Sequence, residues 1–223
     1  QRSLKKNIIK NFELKNKVLL KNISLEIMKG EKIAIIGKNG SGKSTLLKLI
    51  GGVYKPTKGK LLMKEDNISL ISELSAGISE NLTGYDNILL KSIYLDLDLN
   101  EKKKQLHKII KFSGLGENIY KIFKNYSDGM KIRLLLSISL FSLKNILLID
   151  EIIGAGDLKF SKKTIKFLNS NYNKDKTMIL ASHDINLLKM FCDKGIYIKD
   201  GQIKFFGELN LCYKKYLKSE SLI

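Results

Sequence analysis

Gly37-Lys38-Asn39-Gly40-Ser41-Gly42-Lys43-Ser44-Thr45 stands between the apolar run Ile33-Ala34-Ile35-Ile36 and the segment Leu46-Leu47-Lys48-Leu49-Ile50. The order reads as buried strand, glycine-rich loop, helix. The spacing G-x-x-x-x-G-K-S is that of a phosphate-binding loop, or P-loop. Glycine at 37, 40 and 42 permits a path on which backbone amides converge on an anion, where side chains would block the approach. Lys43 adds a full positive charge, and the Ser44 hydroxyl is the expected Mg²⁺ ligand. The helix that starts there turns the positive end of its dipole toward the phosphates. Lys38, Asn39, Ser41 and Thr45 complete the expected nucleotide-binding stretch.

Downstream, the apolar residues Ile146-Leu147-Leu148-Ile149 end in Asp150-Glu151. Two carboxylates are thus expected where a buried parallel strand emerges at its C-terminal edge, the edge from which the P-loop also emerges. Asp150 would hold Mg²⁺, directly or through water, and Glu151 would polarise the water attacking a γ-phosphate. His183 follows the strand Thr177-Met178-Ile179-Leu180-Ala181, so its imidazole is expected at the same edge, within reach of the γ-phosphate or the attacking water. Alone, a strand-end Asp-Glu or a single histidine reads as structural; the P-loop upstream turns both toward catalysis.

Around this core the pattern predicts an α/β domain spanning residues 1–223. From Val18 to Met28, Leu19, Ile23, Leu25 and Ile27 alternate with Leu20, Asn22, Ser24 and Glu26, which predicts a half-buried strand. The loop Tyr54-Lys55-Pro56-Thr57-Lys58-Gly59 precedes another short strand at Lys60-Leu61-Leu62-Met63, after the strand–loop–helix unit. Strands on both sides of that unit, without a long crossover, predict a small antiparallel β lobe added to the parallel core. Helices are predicted from Leu82 to Leu97 and from Glu101 to Phe112, the second with Leu106, Ile109 and Ile110 on one face. They belong to an inserted helical subdomain of about 72–143, in which His107 reads as a surface residue. A strand at Ile68-Ser69-Leu70-Ile71 precedes this insertion. A helix from Ser161 to Asn171 follows it, then strands at 195–199 and 202–206 flank the hairpin turn Asp200-Gly201. A terminal helix from about Glu208 to Leu217 closes the pattern.

The composition narrows the field. A hydrophobic fraction of 43% argues against disorder. Forty Lys+Arg against 22 Asp+Glu give a net charge of +18, which would suit nucleic acid, an anionic membrane surface or an acidic substrate. The lysines are spread along the whole chain among abundant Asn and Ile, so a general compositional bias is the plain alternative. Cys192 and Cys212 form no C-x-x-C pair, which indicates neither zinc nor a disulfide framework and suits a reducing compartment. No run reaches about 18 apolar residues and the first residues lack a signal-peptide core, so the chain is expected neither to span a membrane nor to be secreted by itself.

The P-loop, Tyr126-Ser127-Asp128-Gly129-Met130 opening a helix, Ile146 to Glu151, Gly154-Ala155-Gly156-Asp157 and His183 occur in an order and spacing that resemble an ATP-binding-cassette (ABC) transporter ATPase subunit. The resemblance covers nearly the whole chain. It implies a P-loop NTPase core using ATP and Mg²⁺, and a head-to-tail homodimer with two ATP molecules at the interface. Each ATP would be held by the P-loop of one subunit and the signature segment of the other, to which Ser127 and Gly129 correspond. Asp128 and Met130 stand where Gly and Gln are usual, and an extra carboxylate near a phosphate is unfavourable unless Lys131 or Arg133 offsets it. Glu73 stands about where the family has a Gln that contacts Mg²⁺ and relays to the permease. Phe12 is the candidate for the aromatic that stacks on adenine, the alternative being a core aromatic.

The stretches Ile71-Ser72-Glu73-Leu74-Ser75-Ala76-Gly77-Ile78 and Leu82-Thr83-Gly84-Tyr85-Asp86-Asn87-Ile88 look like those of bacterial ATPase subunits that export capsular polysaccharide, O-antigen and teichoic-acid polymers. The signature segment and Asp150 to Asp157 resemble the same group. This implies a peripheral subunit on the cytoplasmic face of the inner membrane, powering an integral-membrane permease present in two copies. The cargo would be a lipid-linked glycan not bound directly by this chain. The segment from Glu73 to Asn87 is the expected surface for the permease's coupling helix, the alternative being a plain solvent loop. Two rival readings have weaker support. A soluble cassette ATPase acting on nucleic acid usually carries two cassettes or long coiled-coil insertions, and this chain has one cassette and no sustained heptads. A P-loop kinase would leave the signature segment and His183 without a role. An ABC exporter of a different substrate also stays open.

Overall fold

The computed structural model describes residues 19–62, 67–72, 74–94, 99–142, 144–151, 157–172 and 175–220. Six strands form one sheet in the order β2-β3-β4-β1-β5-β6. These are β1 (Lys32–Ile36), β2 (Ile68–Ile71), β3 (Ile146–Asp150), β4 (Thr177–Ala181), β5 (Lys194–Lys199) and β6 (Gln202–Glu208). All neighbours run parallel except β5 and β6. Strands covered on both faces read as unbroken apolar runs, as β1, β3 and β4 do.

The two-residue period sorts their side chains. Ala34, Ile36, Leu147, Ile149, Met178 and Leu180 pack on one face; Ile35, Leu148, Ile179 and Ala181 on the other. Helix α1 (Lys43–Ile50) covers the second face through Leu46 and Leu47. The first is covered by α5 (Leu158–Asn171), α6 (Ile185–Phe191) and α7 (Leu209–Ser219), through Phe160, Leu168, Leu188, Leu209 and Cys212. Because β1, β3 and β4 lie side by side, the loops leaving their C-terminal ends share one edge.

Between β2 and β3 the chain forms a helical lobe from α2 (Gly84–Tyr94), α3 (Leu99–Ser113) and α4 (Asp128–Phe141). Its own core contains Ile88, Ile109, Ile119, Phe123, Tyr126 and Leu134. Leu136 and Leu140 of α4 instead join the sheet core, which explains a helix buried on more than one face. The lobe's entry is fixed by Asn87, fully buried, whose amide accepts from Ser79 N at 2.8 Å and donates to Ser79 O at 2.8 Å and Thr83 O at 3.0 Å. Thr83 caps α2, accepting from Asp86 N at 3.1 Å while donating to the Asp86 carboxylate at 2.6 Å. Gly84 must be glycine here, since a Cβ would fall 2.1 Å from the Tyr126 hydroxyl.

The expected elements of the core form within a few residues of their sequence limits, and His107 is exposed. The hairpin turn has φ of 50° at Asp200 and 73° at Gly201, the left-handed pair that a two-residue turn requires. The alternating segment differs. Residues 19–28 carry no strand, although Ile23, Leu25 and Ile27 are half-buried and Ser24, Glu26 and Met28 exposed. Leu20, Ile23 and Ile27 rest on the α1 face of the sheet. Alternation reports burial, while a strand also needs a ladder partner. Residues 61 and 62 likewise carry no strand, and the antiparallel pairing between strands among the described residues is that of β5 with β6, besides a single bridge of Thr83 with Ile122. Helix α6, capped by Asp184, was not expected from the pattern; at 7 residues it is too short to show a period.

Candidate functional site

The P-loop folds tightly against β5. A Cβ on Gly37 would fall 2.4 Å from Ile198 O, and φ is 77° at Gly40 and 112° at Gly42, so bulk at the first and backbone conformation at the other two call for glycine. The Ser41 carbonyl accepts from Gly201 N at 3.0 Å, which ties the loop to the β5–β6 hairpin. Lys43 is 6% exposed, and its ammonium donates to Gly37 O at 2.8 Å and Lys38 O at 3.2 Å. Burial holds its pKa below the ordinary lysine value, opposed by the carboxylates of Glu151 and Asp150. The hydroxyl of Ser41 is buried without a hydrogen-bond partner. A buried cation and an orphan donor on a loop of glycines fit a phosphate.

Three loops meet beside it. His183 Nε2 lies 2.9 Å from Glu151 Oε1 and 2.8 Å from Asn39 Oδ1. Both partners are acceptors, so this nitrogen carries a proton shared between them. Glu151 Oε1 also lies 3.9 Å from Lys43 Nζ. Glu151 is held at φ 55°, where its N–H donates to Ala181 O at 3.0 Å. A left-handed conformation costs a non-glycine residue about 1–2 kcal/mol. Such strain persists where the surroundings over-determine it, as at functional sites. Asp150 ends β3 half-buried, and Ser44 is exposed in the first turn of α1. A hydroxyl and a carboxylate are the hard oxygen donors that suit Mg²⁺.

Asn39, Lys43, Glu151 and His183 are therefore gathered at one sheet edge. Ser127 and Gly129 stand elsewhere, at the exposed start of α4 in the helical lobe. Ser127 caps that helix, its Oγ accepting from Met130 N at 3.3 Å. Phe12, Glu73 and Gly154-Ala155-Gly156 lie outside the described residues. Arg133 does not offset Asp128: it donates to Ser113 O at 2.8 Å and Gly114 O at 3.1 Å and reaches Asp157, the cap of α5, at 3.8 Å. Lys131 sits over the Phe123 ring at 5.8 Å. The bond from Phe160 N, with Arg133 adding to it, holds the Asp157 carboxyl below its ordinary pKa. The Arg133 link between the helical lobe and α5 has no signal in the sequence, because its partners are carbonyls and a carboxylate brought near only by the fold.

Comparison with known proteins bears on the family and the fold. The sequence pattern of the ABC transporter family matches residues 20–154. The teichoic acids export ATP-binding protein TagH of Bacillus cereus is 40% identical over 202 residues, covering 89% of this chain and 36% of that protein. The O-antigen export system ATP-binding protein RfbB of Myxococcus xanthus is 38% identical over 203 residues, covering 91% of this chain and 46% of that protein. The chain thus spans less than half the length of these relatives. Among solved structures, the dimeric ATP-binding cassette MJ0796 bound to ADP and Pi superposes with a TM-score of 0.72 at 27% identity, covering 86% of this chain and 90% of that one. An ATP-binding subunit of an ABC transporter, at 22% identity with a TM-score of 0.76 over 89% of this chain and 87% of that one, bears on the fold alone. With the phosphate loop, the strand-end carboxylates and the histidine on one edge, and with this family pattern across more than half its length, the chain belongs to the ABC transporter family as an ATP-binding cassette.

Proposed function

We propose that the chain binds and hydrolyses MgATP to drive a membrane permease that exports a lipid-linked polysaccharide such as capsule, O-antigen or teichoic acid. The observation that carries the ATPase reading is the contact of His183 with both Glu151 and Asn39 beside Lys43. The amides of residues 37–45 and the Lys43 ammonium would cradle the phosphates, the ammonium exchanging two carbonyl acceptors for phosphate oxygens. Ser44 and Asp150 would hold Mg²⁺, with Glu73 as a further ligand, and the ion would neutralise charge on the phosphates. Glu151 would take the proton of the attacking water. His183 keeps that carboxylate turned toward the P-loop by donating to it.

Ser127 and Gly129, exposed in the lobe, would complete the site of a second copy of the chain in a head-to-tail homodimer. The permease, in two copies, would dock on the helical lobe close to the segment 73–87. In support, Leu82, Leu89, Leu90, Ile93, Tyr120 and Ile122 expose apolar surface on α2 and the loop facing it. No helix of the described residues is long and apolar enough to cross a membrane, consistent with a peripheral subunit at the cytoplasmic face. The cargo reading rests on the relatives' names and on the sequence segments shared with that group.

Replacing Glu151 by Gln should preserve MgATP binding while lowering turnover by about a hundredfold or more, as measured by phosphate release. Turnover at the original rate would refute Glu151 as the base. For the cargo, Lys43→Ala in the native host should leave lipid-linked glycan inside the cell and strip it from the surface. Normal surface glycan, with no second exporter present, would overturn the export reading and leave the ATPase reading intact.

A further inference from the structure

Lys38 is the second residue of the P-loop, and its ammonium is paired with a carboxylate from the far end of the chain. The partner is Glu220, directly after α7. The Glu220 side chain is 5% exposed, and its carboxylate also takes Lys199 at 3.1 Å and the Tyr197 hydroxyl at 2.9 Å. Tyr197 lies 2.8 Å from Ser219 Oγ, and Lys199 donates to Ser219 O at 3.3 Å. Residues of β5 therefore fasten the end of α7, and Glu220 extends that attachment to the P-loop. With Lys38, then Lys199 and Tyr197 bonded to it, the Glu220 carboxyl is held down to about 2, so it is an anion at any working pH. The C-terminal half of α7 borders the site as well. Tyr213, Tyr216 and Leu217 line a cavity of about 160 Å³ together with Gly37 and His183.

The arrangement has an electrostatic consequence. ATP brings several negative charges to the loop on which Lys38 stands. The exposed ammonium of that loop, 62% accessible along its side chain, is held by a carboxylate instead of facing the phosphates. Glu220 both occupies a cation of the loop and adds a negative charge beside it. We propose that Glu220 is a positioning residue for nucleotide binding: it holds Lys38 on the end of α7 and thereby restrains the affinity of the P-loop for ATP. This rests on the reading of residues 37–45 as the nucleotide site.

The test is equilibrium binding of MgATP to the full chain, by calorimetry or a fluorescent ATP analogue, at low and high salt. Glu220→Gln should tighten binding about three- to tenfold at low salt, the effect of one freed charge under partial screening, and the gain should shrink at high salt. Glu220→Asp, which keeps the charge but falls one methylene short of Lys38, should give a smaller gain, and serves if the glutamine variant melts early. Lys38→Met added to Glu220→Gln should erase the gain. Unchanged or weaker binding in both Glu220 variants would overturn the proposal, as would a gain that survives loss of Lys38. Lys43→Ala is the separate check on the site. If it binds ATP as tightly as the parent, the nucleotide site itself is misassigned, whatever Glu220 does.

Discussion

Gly129→Ala should divide the fold from the function. A Cβ built on Gly129 meets nothing within 4 Å, and the residue is exposed in the first turn of α4. Alanine there gains helix propensity worth up to about 1 kcal/mol. For a chain of this size that raises the melting temperature by about 2–4 °C per kcal/mol. In the proposed head-to-tail dimer, the same methyl would stand where a second copy brings its nucleotide phosphate against the amides at the start of α4. Losing one hydrogen bond to a charged group costs about 1.5–3 kcal/mol, roughly 10- to 100-fold in the association it supports. Sedimentation velocity with saturating ATP in the Glu151→Gln background measures that association, and thermal melts without nucleotide measure the fold. Gly84→Ala is the contrasting control, because its Cβ would fall 2.1 Å from the Tyr126 hydroxyl and should lower the melting temperature. A Gly129→Ala protein that dimerises like its parent would refute the assignment of Gly129 to the partner's phosphate. One that melts clearly lower would show that the glycine serves the fold instead.

Asn87→Ala removes three good hydrogen bonds from a fully buried side chain and strands the Ser79 amide. Urea unfolding should register about 2–4 kcal/mol of lost stability, and a loss below about 1 kcal/mol would contradict the role of Asn87 in holding the loop. The two cysteines give a pH-linked outcome. Burial pushes the thiols of Cys192 and Cys212 up to about 12, so neither should react with iodoacetamide at pH 8 in the native protein, and both should react once it is unfolded. Above the ordinary value of 9.0 the unfolded chain ionises these thiols first, so their burial also favours unfolding as pH rises further.

The parts legible in the chain are those governed by neighbours along it. The P-loop needs glycines at fixed offsets between a strand and a helix, and that requirement is local. The Asp200-Gly201 turn depends on two residues that accept positive φ. Strands β1, β3 and β4 declare themselves because burial on both faces leaves no polar residue between their ends. Since P-loops leave a parallel sheet at its C-terminal edge, Glu151 and His183 could be assigned to the same edge before any coordinates. Their convergence was readable, but the proton-sharing contact with Asn39, made 144 residues away, was not.

Other features belong to the folded protein alone, because they depend on which distant segments share space. The alternation of residues 19–28 gives the correct buried side without a strand, since among the described residues no strand lies beside it to complete a ladder. Arg133 reads as a neighbour of the signature and is instead spent on the end of α3 and on Asp157. Glu220 lies beyond the expected end of the terminal helix and has no signal of its own in the sequence. Only the order of the sheet, which sets β5 beside β1 and lays α7 across them, carries its carboxylate to Lys38. A side chain's own periodicity states whether it faces the core; which partner it finds there is fixed by the packing of elements far apart in the chain.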